Sequence, residues 1–550
     1  MCLQACDLCY RKRIKCDGKT PRCSQCQLYD SQCTHQAVSR RKKPPHNEQY
    51  LPVVSMCLRD EHQELPVEDG RQLSTGFESS SLAALPATEL DLPWNPDFPD
   101  FESLVSTDMP LPAETIVRPL VDTFLADFNV VLPLFDPQQL VRMVDQWYSS
   151  PMQRTRTSWA VINVVMAISQ YCITGQFDHG NTDFSIGSSV SHCLGNAQSV
   201  LTELLMGDVE LANLQVVLGL VIVFQATSDV KPAVFLMSTA IRLSQVLGIH
   251  RSDSYIYRNA SRRDALQYER VFWITYILDR NIALRIRQAP IQQDRDISIE
   301  LPPVEPDEDD AGFVSTPETH QNGFNVFRAH VELSQIQGYV YDALFSIRAS
   351  RLSPGELAVS SQGIRLLLKD WKNRLPATLG AQPLSRTENV LPCVTSMLCM
   401  LYGTVITCLG LLCQVNSMDF LWIDRLRDYG RSITNGLGEP CVPPPQPQGW
   451  NALVNECREF MPLFMSVQHK GSAFMWTNIC PYTSALICIS ANSIINFDNR
   501  DSLEKQDRRL KLEALTILRD LQRQTNHKTL IKVLEAFEEL DSQYRLMTTT

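Results

Sequence analysis

The sequence lacks the short signatures that most readily mark an enzyme. It has no G-x-S-x-G elbow, no H-E-x-x-H pair, no Walker-type phosphate loop and no Rossmann glycine fingerprint. Their absence removes the commonest hydrolase, metalloprotease and nucleotide-dependent readings. Residues 1–11 are polar and hold no apolar run, so no secretory leader is expected. The 18 cysteines are then expected as reduced thiols or metal ligands rather than as disulfides. Period-two alternation is sparse and no repeat of fixed length appears, which leaves helices as the main element.

Charge is missing from two long runs, residues 393–415 and 473–497. Either is long enough to span a bilayer. However, the first holds several Ser, Thr and Cys plus Gln414, the second holds Asn478, Pro481, Asn492 and Asn496, and neither has a belt of basic and aromatic anchors. Both are expected to be buried helices of a large all-α core, with no membrane as partner.

What charge there is falls unevenly. Residues 1–45 carry ten Lys/Arg against three Asp, a balance of +7, while the remaining residues sum to −18, for −11 overall. A small basic head on a large acidic body is the footprint of a nucleic-acid-binding module joined to something else. The expected organisation is a zinc-stabilised module at 1–36, a basic linker at 37–56, a disordered acidic segment at 57–114, a helical regulatory domain at 115–350 and a C-terminal helical region at 351–550. Within the last two, apolar residues recur at helical spacing, for example Val161, Val164, Val165 and Ile168, or Leu214, Val217, Leu218 and Val221. Residues 300–323, acidic with four prolines, are expected as a loop.

The head holds Cys6, Cys9, Cys16, Cys23, Cys26 and Cys33 in the pattern C-x2-C-x6-C-x6-C-x2-C-x6-C. Two tetrahedral zinc shells need eight ligand positions, and six thiolates fill them only if two sulfurs bridge. Each half reads C-x2-C-x6-C, so the pseudo-symmetry selects Cys6 and Cys23 as the bridges. Two Zn2+ per chain are expected, leaving about −2 on the cluster for nearby cations to offset. A segment of about 30 residues has little core, so metal should supply its folding energy. A disulfide knot fits poorly without a leader, and a thiol store would not require Arg11, Lys12, Arg13 and Lys15 between the second and third cysteines.

Ala5-Cys6-Asp7-Leu8-Cys9-Tyr10-Arg11-Lys12-Arg13-Ile14-Lys15-Cys16-Asp17, followed by Pro21-Arg22-Cys23-Ser24-Gln25-Cys26, resembles the DNA-binding module of fungal Zn2Cys6 transcription factors. Tyr10 departs from the arginine common there. The resemblance implies that the basic pair before the third cysteine, here Lys12 and Arg13, reads a CGG-type triplet, which suits the O6 and N7 acceptors of guanine. Arg11, Lys15, Lys19 and Arg22 are assigned to phosphates. Three patches, residues 124–135 with Pro137, 240–251 and 269–280, resemble the fungal transcription factor regulatory domain, or middle homology region. Where that family often has a Gly-Arg-Pro-like turn, this chain has Arg287-Gln288-Ala289-Pro290.

Further expectations concern partners. Arg40, Arg41, Lys42 and Lys43 suit nuclear import or extra phosphate contact. Residues 89–108 interleave six carboxylates with Trp94, Phe98 and Phe101, as an activation segment presented to the transcription machinery or a coactivator would. Residues 46–80 keep no heptad, so a homodimer would form through the helical domain, with Leu510, Ala514, Ile517 and Leu521 as its stripe. The domain's size and Trp/Phe content also suit a small-molecule effector. The expected function is a nuclear, sequence-specific regulator of RNA polymerase II target genes, not an enzyme, acting as an activator on double-stranded DNA. The competing reading is a pathway-specific repressor or effector-sensing regulator that retains the zinc module.

Overall fold

In a computed structural model, the described residues are 16, 17, 19, 21–28, 32–34, 109–173, 189–306, 309–316, 318, 323–386, 390–417, 442–468, 471–496, 503–525 and a few isolated positions in 425–432 and 530–542. The expectations for residues 40–43, 46–80 and 89–108 lie outside them. The chain divides into two units, residues 1–52 and 53–550. The first contains the short helix α1 (Ser24–Leu28).

The second unit is helical. Its longer helices are α2 (Glu114–Asp127), α3 (Pro137–Ser149), α4 (Arg156–Ile168), α5 (Val190–Ser199), α6 (Leu211–Gln225), α7 (Lys231–Leu247) and α8 (Arg262–Ile286). They continue with α9 (Val326–Leu344), α10 (Pro354–Arg374), α11 (Pro392–Ser417), α12 (Trp450–Ser466), α13 (Ser472–Ile495) and α14 (Glu504–Thr525). Among the described residues, strand is confined to the antiparallel pair β1 (Phe313–Val314) and β2 (Phe324–Asn325), within and just after the expected loop.

Helix α6 sits at the centre and is buried almost all round from Asn213 to Val223. It crosses α4 so closely that a Cβ on Gly219 would lie 2.0 Å from Val164 Cγ1. The patch at 124–135 is a corner rather than one helix. The apolar spacing suggests helix to Leu132, but α2 ends at Asp127. Asn129 then clamps the turn, donating to Phe135 O at 2.8 Å and accepting from Phe135 N at 3.0 Å. Gln215 of α6 and Gln267 of α8 both donate to Leu134 O, at 2.6 and 2.9 Å. Asp136 caps α3 through Gln139 N at 2.8 Å and pairs with Arg263 of α8 at 2.6 Å. The patch at 240–251 ends α7 on Gly248, whose φ of 73° stops the helix as its sequence suggests.

Several boundaries differ from the sequence reading. Residues 109–113, expected in the disordered segment, pack on the helical unit: Trp159 Nε1 donates to Pro110 O at 3.0 Å and Tyr148 to Pro112 O at 2.6 Å. The division expected at 350 has no counterpart in the packing. Trp371 of α10 donates to Ala329 O of α9 at 2.8 Å, and a single apolar core runs from Val117 to Leu534. The two charge-free runs are core helices, with 72% and 83% of their most apolar windows buried inside the protein. The stripe proposed for dimerisation is largely consumed within the chain. Leu510, Ala514 and Leu521 are buried in the same core, with Ile517 packed against it. Arg458 of α12 fixes α14 through a two-pronged contact with Asp507, both bonds 2.8 Å.

Candidate functional site

Among the described residues of the first unit, four of the six expected ligands are seen: Cys16, Cys23, Cys26 and Cys33. Helix α1 opens immediately after Cys23 and carries Cys26 one turn on. The Sγ atoms of Cys23, Cys26 and Cys33 lie within 4.8 Å of one another, and Cys23 also clusters within 4.8 Å with Cys16 and Asp17. Tetrahedral zinc with Zn–S near 2.3 Å sets neighbouring sulfurs about 3.8 Å apart, so the thiols fit. An all-thiolate set favours zinc over harder cations. Cys23 belongs to both groups, the position that a bridging sulfur occupies.

The surroundings hold these thiols in place. Cys23 and Cys26 are fully buried, and the Cys26 amide donates to Cys23 Sγ at 3.4 Å. Such N–H···S contacts favour the thiolate that a metal needs. Asp17, the residue after the third cysteine, accepts from the Ser24 hydroxyl at 2.5 Å and from the Ser24 amide at 3.0 Å, tying the two halves of the motif together. The Ser24 hydroxyl and then its amide hold the Asp17 carboxyl below the usual range. Lys19 is 73% exposed and stands 3.7 Å from Asp17, and Arg22 is exposed. Cys6, Cys9, Arg11, Lys12, Arg13 and Lys15 lie outside the described residues.

Asp279 and Arg280, adjacent on α8, are structural. Both are almost wholly buried. The Asp279 carboxylate accepts from the amides of Ile291 at 3.0 Å and Gln292 at 3.1 Å, which fixes the turn after α8. Arg280 donates to Asp279 at 3.2 Å, to Gln292 O at 2.9 Å and to Asp294 at 2.6 Å, and its guanidinium lies 4.4 Å from the Tyr276 ring centre. Burial raises the Asp279 carboxyl, against Arg280 and the two amides. The Arg287-Gln288-Ala289-Pro290 departure therefore keeps a defined turn, with Arg287 in the left-handed region at φ 55°. Cys408 and Cys413 are buried, and burial pushes their thiols up to about 12 and about 11, leaving little reactive thiolate.

A second site was not legible in the sequence. Between α6, α8, α9, α11 and α13 lie two adjoining cavities of about 260 and 150 Å3. Gln225, Asn281, His330, Met400 and Thr477 line both. Nothing in the local spacing of His330, Arg285 or Arg287 announces this, because the lining comes from helices distant in sequence. His330 is 6% exposed, its Nδ1 is sealed without a hydrogen-bond partner, and burial pushes its ring down to about 4.

A cysteine cluster fit for zinc, on a basic head followed by a helical body, points to a zinc-dependent DNA-binding regulator. Residues 4–43 match the fungal Zn(2)-Cys(6) binuclear cluster domain, and residues 121–373 match the fungal specific transcription factor domain. The chain belongs to the fungal Zn2Cys6 transcription factors that carry this regulatory domain. It is 24% identical to an ABC-transporter-regulating transcription factor of Aspergillus oryzae, over 90% of this chain and 67% of that protein. The Aspergillus fumigatus protein of the same description is also 24% identical, over 90% and 68%. A Fusaridione A cluster transcription factor of Fusarium heterosporum is 26% identical over 51% of each chain.

Proposed function

We propose that this chain is a nuclear activator that reads CGG-type triplets through a two-zinc cluster and answers to a small-molecule effector. The observation that carries the reading is that Cys23 belongs both to the Cys23, Cys26 and Cys33 cluster and to the Cys16, Asp17 and Cys23 cluster, as a bridging sulfur would. In this reading Cys6 and Cys23 bridge the metals. One zinc takes Cys6, Cys9, Cys16 and Cys23, and the other takes Cys6, Cys23, Cys26 and Cys33. Lys12 and Arg13 face the guanine edges. Arg11, Lys15, Lys19 and Arg22 hold phosphates, and Arg40, Arg41, Lys42 and Lys43 direct import. The activation output is assigned to residues 89–108, on their acidic and aromatic content. Any homodimer must use a face other than the buried 510–521 stripe.

Metal analysis of the full chain should return two zincs. Chelation should abolish DNA binding, and added Zn2+ should restore it. One zinc per chain, or DNA binding that survives chelation, would overturn the bridged cluster. Deleting residues 89–108 should abolish reporter activation while sparing DNA binding. An unchanged or raised signal would instead favour the repressor reading.

A further inference from the structure

We propose that the paired cavities around His330 form an effector site for an amphipathic carboxylate, its acid head on Arg285 and Arg287 and its apolar body in the larger compartment. This rests on the reading of the helical unit as effector-sensing and is independent of the zinc module.

Charge argues for the head. Arg285 and Arg287 line the smaller compartment, which no Asp or Glu lines. Neither makes an ion pair among the described residues. Arg285 donates to Gln225 O at 2.8 Å, while its Nε is buried without a partner. Arg287 stacks its guanidinium 5.3 Å from the Phe345 ring centre, and burial lowers its pKa. Two partly buried guanidiniums without a counter-charge are costly, and a carboxylate met by two forks of N–H donors offsets that cost. Water could satisfy the orphaned Nε but would leave both charges unbalanced.

Polarity argues for the body. Phe128, Ile222, Ile277, Leu278, Met397 and Phe474 line the larger compartment, whose one carboxylate, Asp127, is exposed. His330 stands on the shared wall and is neutral near pH 7, so it offers a hydrogen bond to the ligand's middle without adding charge. Gln337 adds a further sealed, unpartnered polar atom, Oε1, on the smaller side. The volumes approach those of cavities that hold drug-sized ligands, roughly 300 Å3 and above. The walls combine α8 and α9 with α11 and α13, so an occupant would touch helices from distant parts of the sequence at once.

The test is calorimetric titration of the full-length protein with dodecanoate and, in parallel, with dodecanol. Dodecanoate should saturate one site per chain and bind at least about tenfold tighter than dodecanol. Replacing Arg285→Gln and Arg287→Asn together should weaken dodecanoate at least about tenfold and leave dodecanol unchanged. Asn is chosen because it tolerates the left-handed backbone at 287. Met400→Trp, which fills the shared wall, should abolish binding of both probes and serves if the arginine variant does not fold. Equal affinity for the two probes overturns the carboxylate class and leaves an effector cavity standing. Dodecanoate binding that survives the arginine or Met400 changes, or no saturable binding at all, overturns the site itself. Zinc-module DNA affinity, measured on the same samples, reports separately on the other reading.

Discussion

Replacing Asp279 with alanine would remove the acceptor that holds the turn after α8. The Gln292 amide is buried and would be left without a partner, at about 1–3 kcal/mol. The Ile291 amide is part-buried and would lose both of its contacts, at 3.0 and 3.1 Å, so its penalty is smaller. Arg280, 3% exposed, would keep Gln292 O and Asp294, but Asp294 is 49% exposed and its attraction is screened by water. Removing one partner of such a buried pair costs about 3–5 kcal/mol, and the retained Asp294 contact places Asp279→Ala near the lower end. Asp279→Asn keeps an acceptor but loses the charge, for about 1–2 kcal/mol. Urea unfolding followed by far-UV circular dichroism measures both. The double change Asp279→Leu with Arg280→Met should lose less than the two single changes together, because neither leaves a stranded charge behind. A loss below about 1 kcal/mol for Asp279→Ala, or additive single changes, would refute the argument.

Other outcomes follow from packing and charge. Gly219→Ala should destabilise by about 1–3 kcal/mol in the same assay, since its Cβ would lie 2.0 Å from Val164 Cγ1. His330 is pushed down to about 4 in the folded chain from an ordinary 6.5, so its contribution is retained above pH 6.5 and lost as pH falls towards 4. Between pH 7 and pH 5 that loss is about 2 kcal/mol, and His330→Phe should remove that share of the slope in pH-dependent unfolding. Lys12→Ala or Arg13→Ala should relax base preference by about 1–3 kcal/mol at one guanine in a binding-site selection. An effect that falls equally on all sequences would move that residue to the phosphate contacts.

Features set by local spacing were legible from residues alone. The cysteine pattern is one, because metal geometry constrains neighbours along the chain. The Gly248 stop is another, and so are the charge-free runs, whose Asn and Pro content points to a protein interior. The start of helix α10 is marked locally as well, by the capping box that Ser353 and Glu356 form. Features that depend on distant partners were not legible. The corner at 133–136 exists because Gln215 and Gln267 reach Leu134 O from two other helices, so apolar period alone carried the reading of α2 too far. The cavity around His330 is closed by helices far apart in sequence, from the end of α2 to α13. The 510–521 stripe has the same appearance whether its cover comes from a second copy or from α12 and α13.

The continuous core sets an order of events during synthesis. The zinc-cluster segment lies within the first 52 residues, so all six cysteines expected as ligands are available as soon as Cys33 leaves the ribosome. The helical unit cannot close until α14, ending at Thr525, has been made, because that helix covers α12 and α13. At about 5–20 residues per second, roughly half a minute to a minute and a half separates the two. The nascent chain would therefore expose its zinc-cluster segment well before the helical body could close.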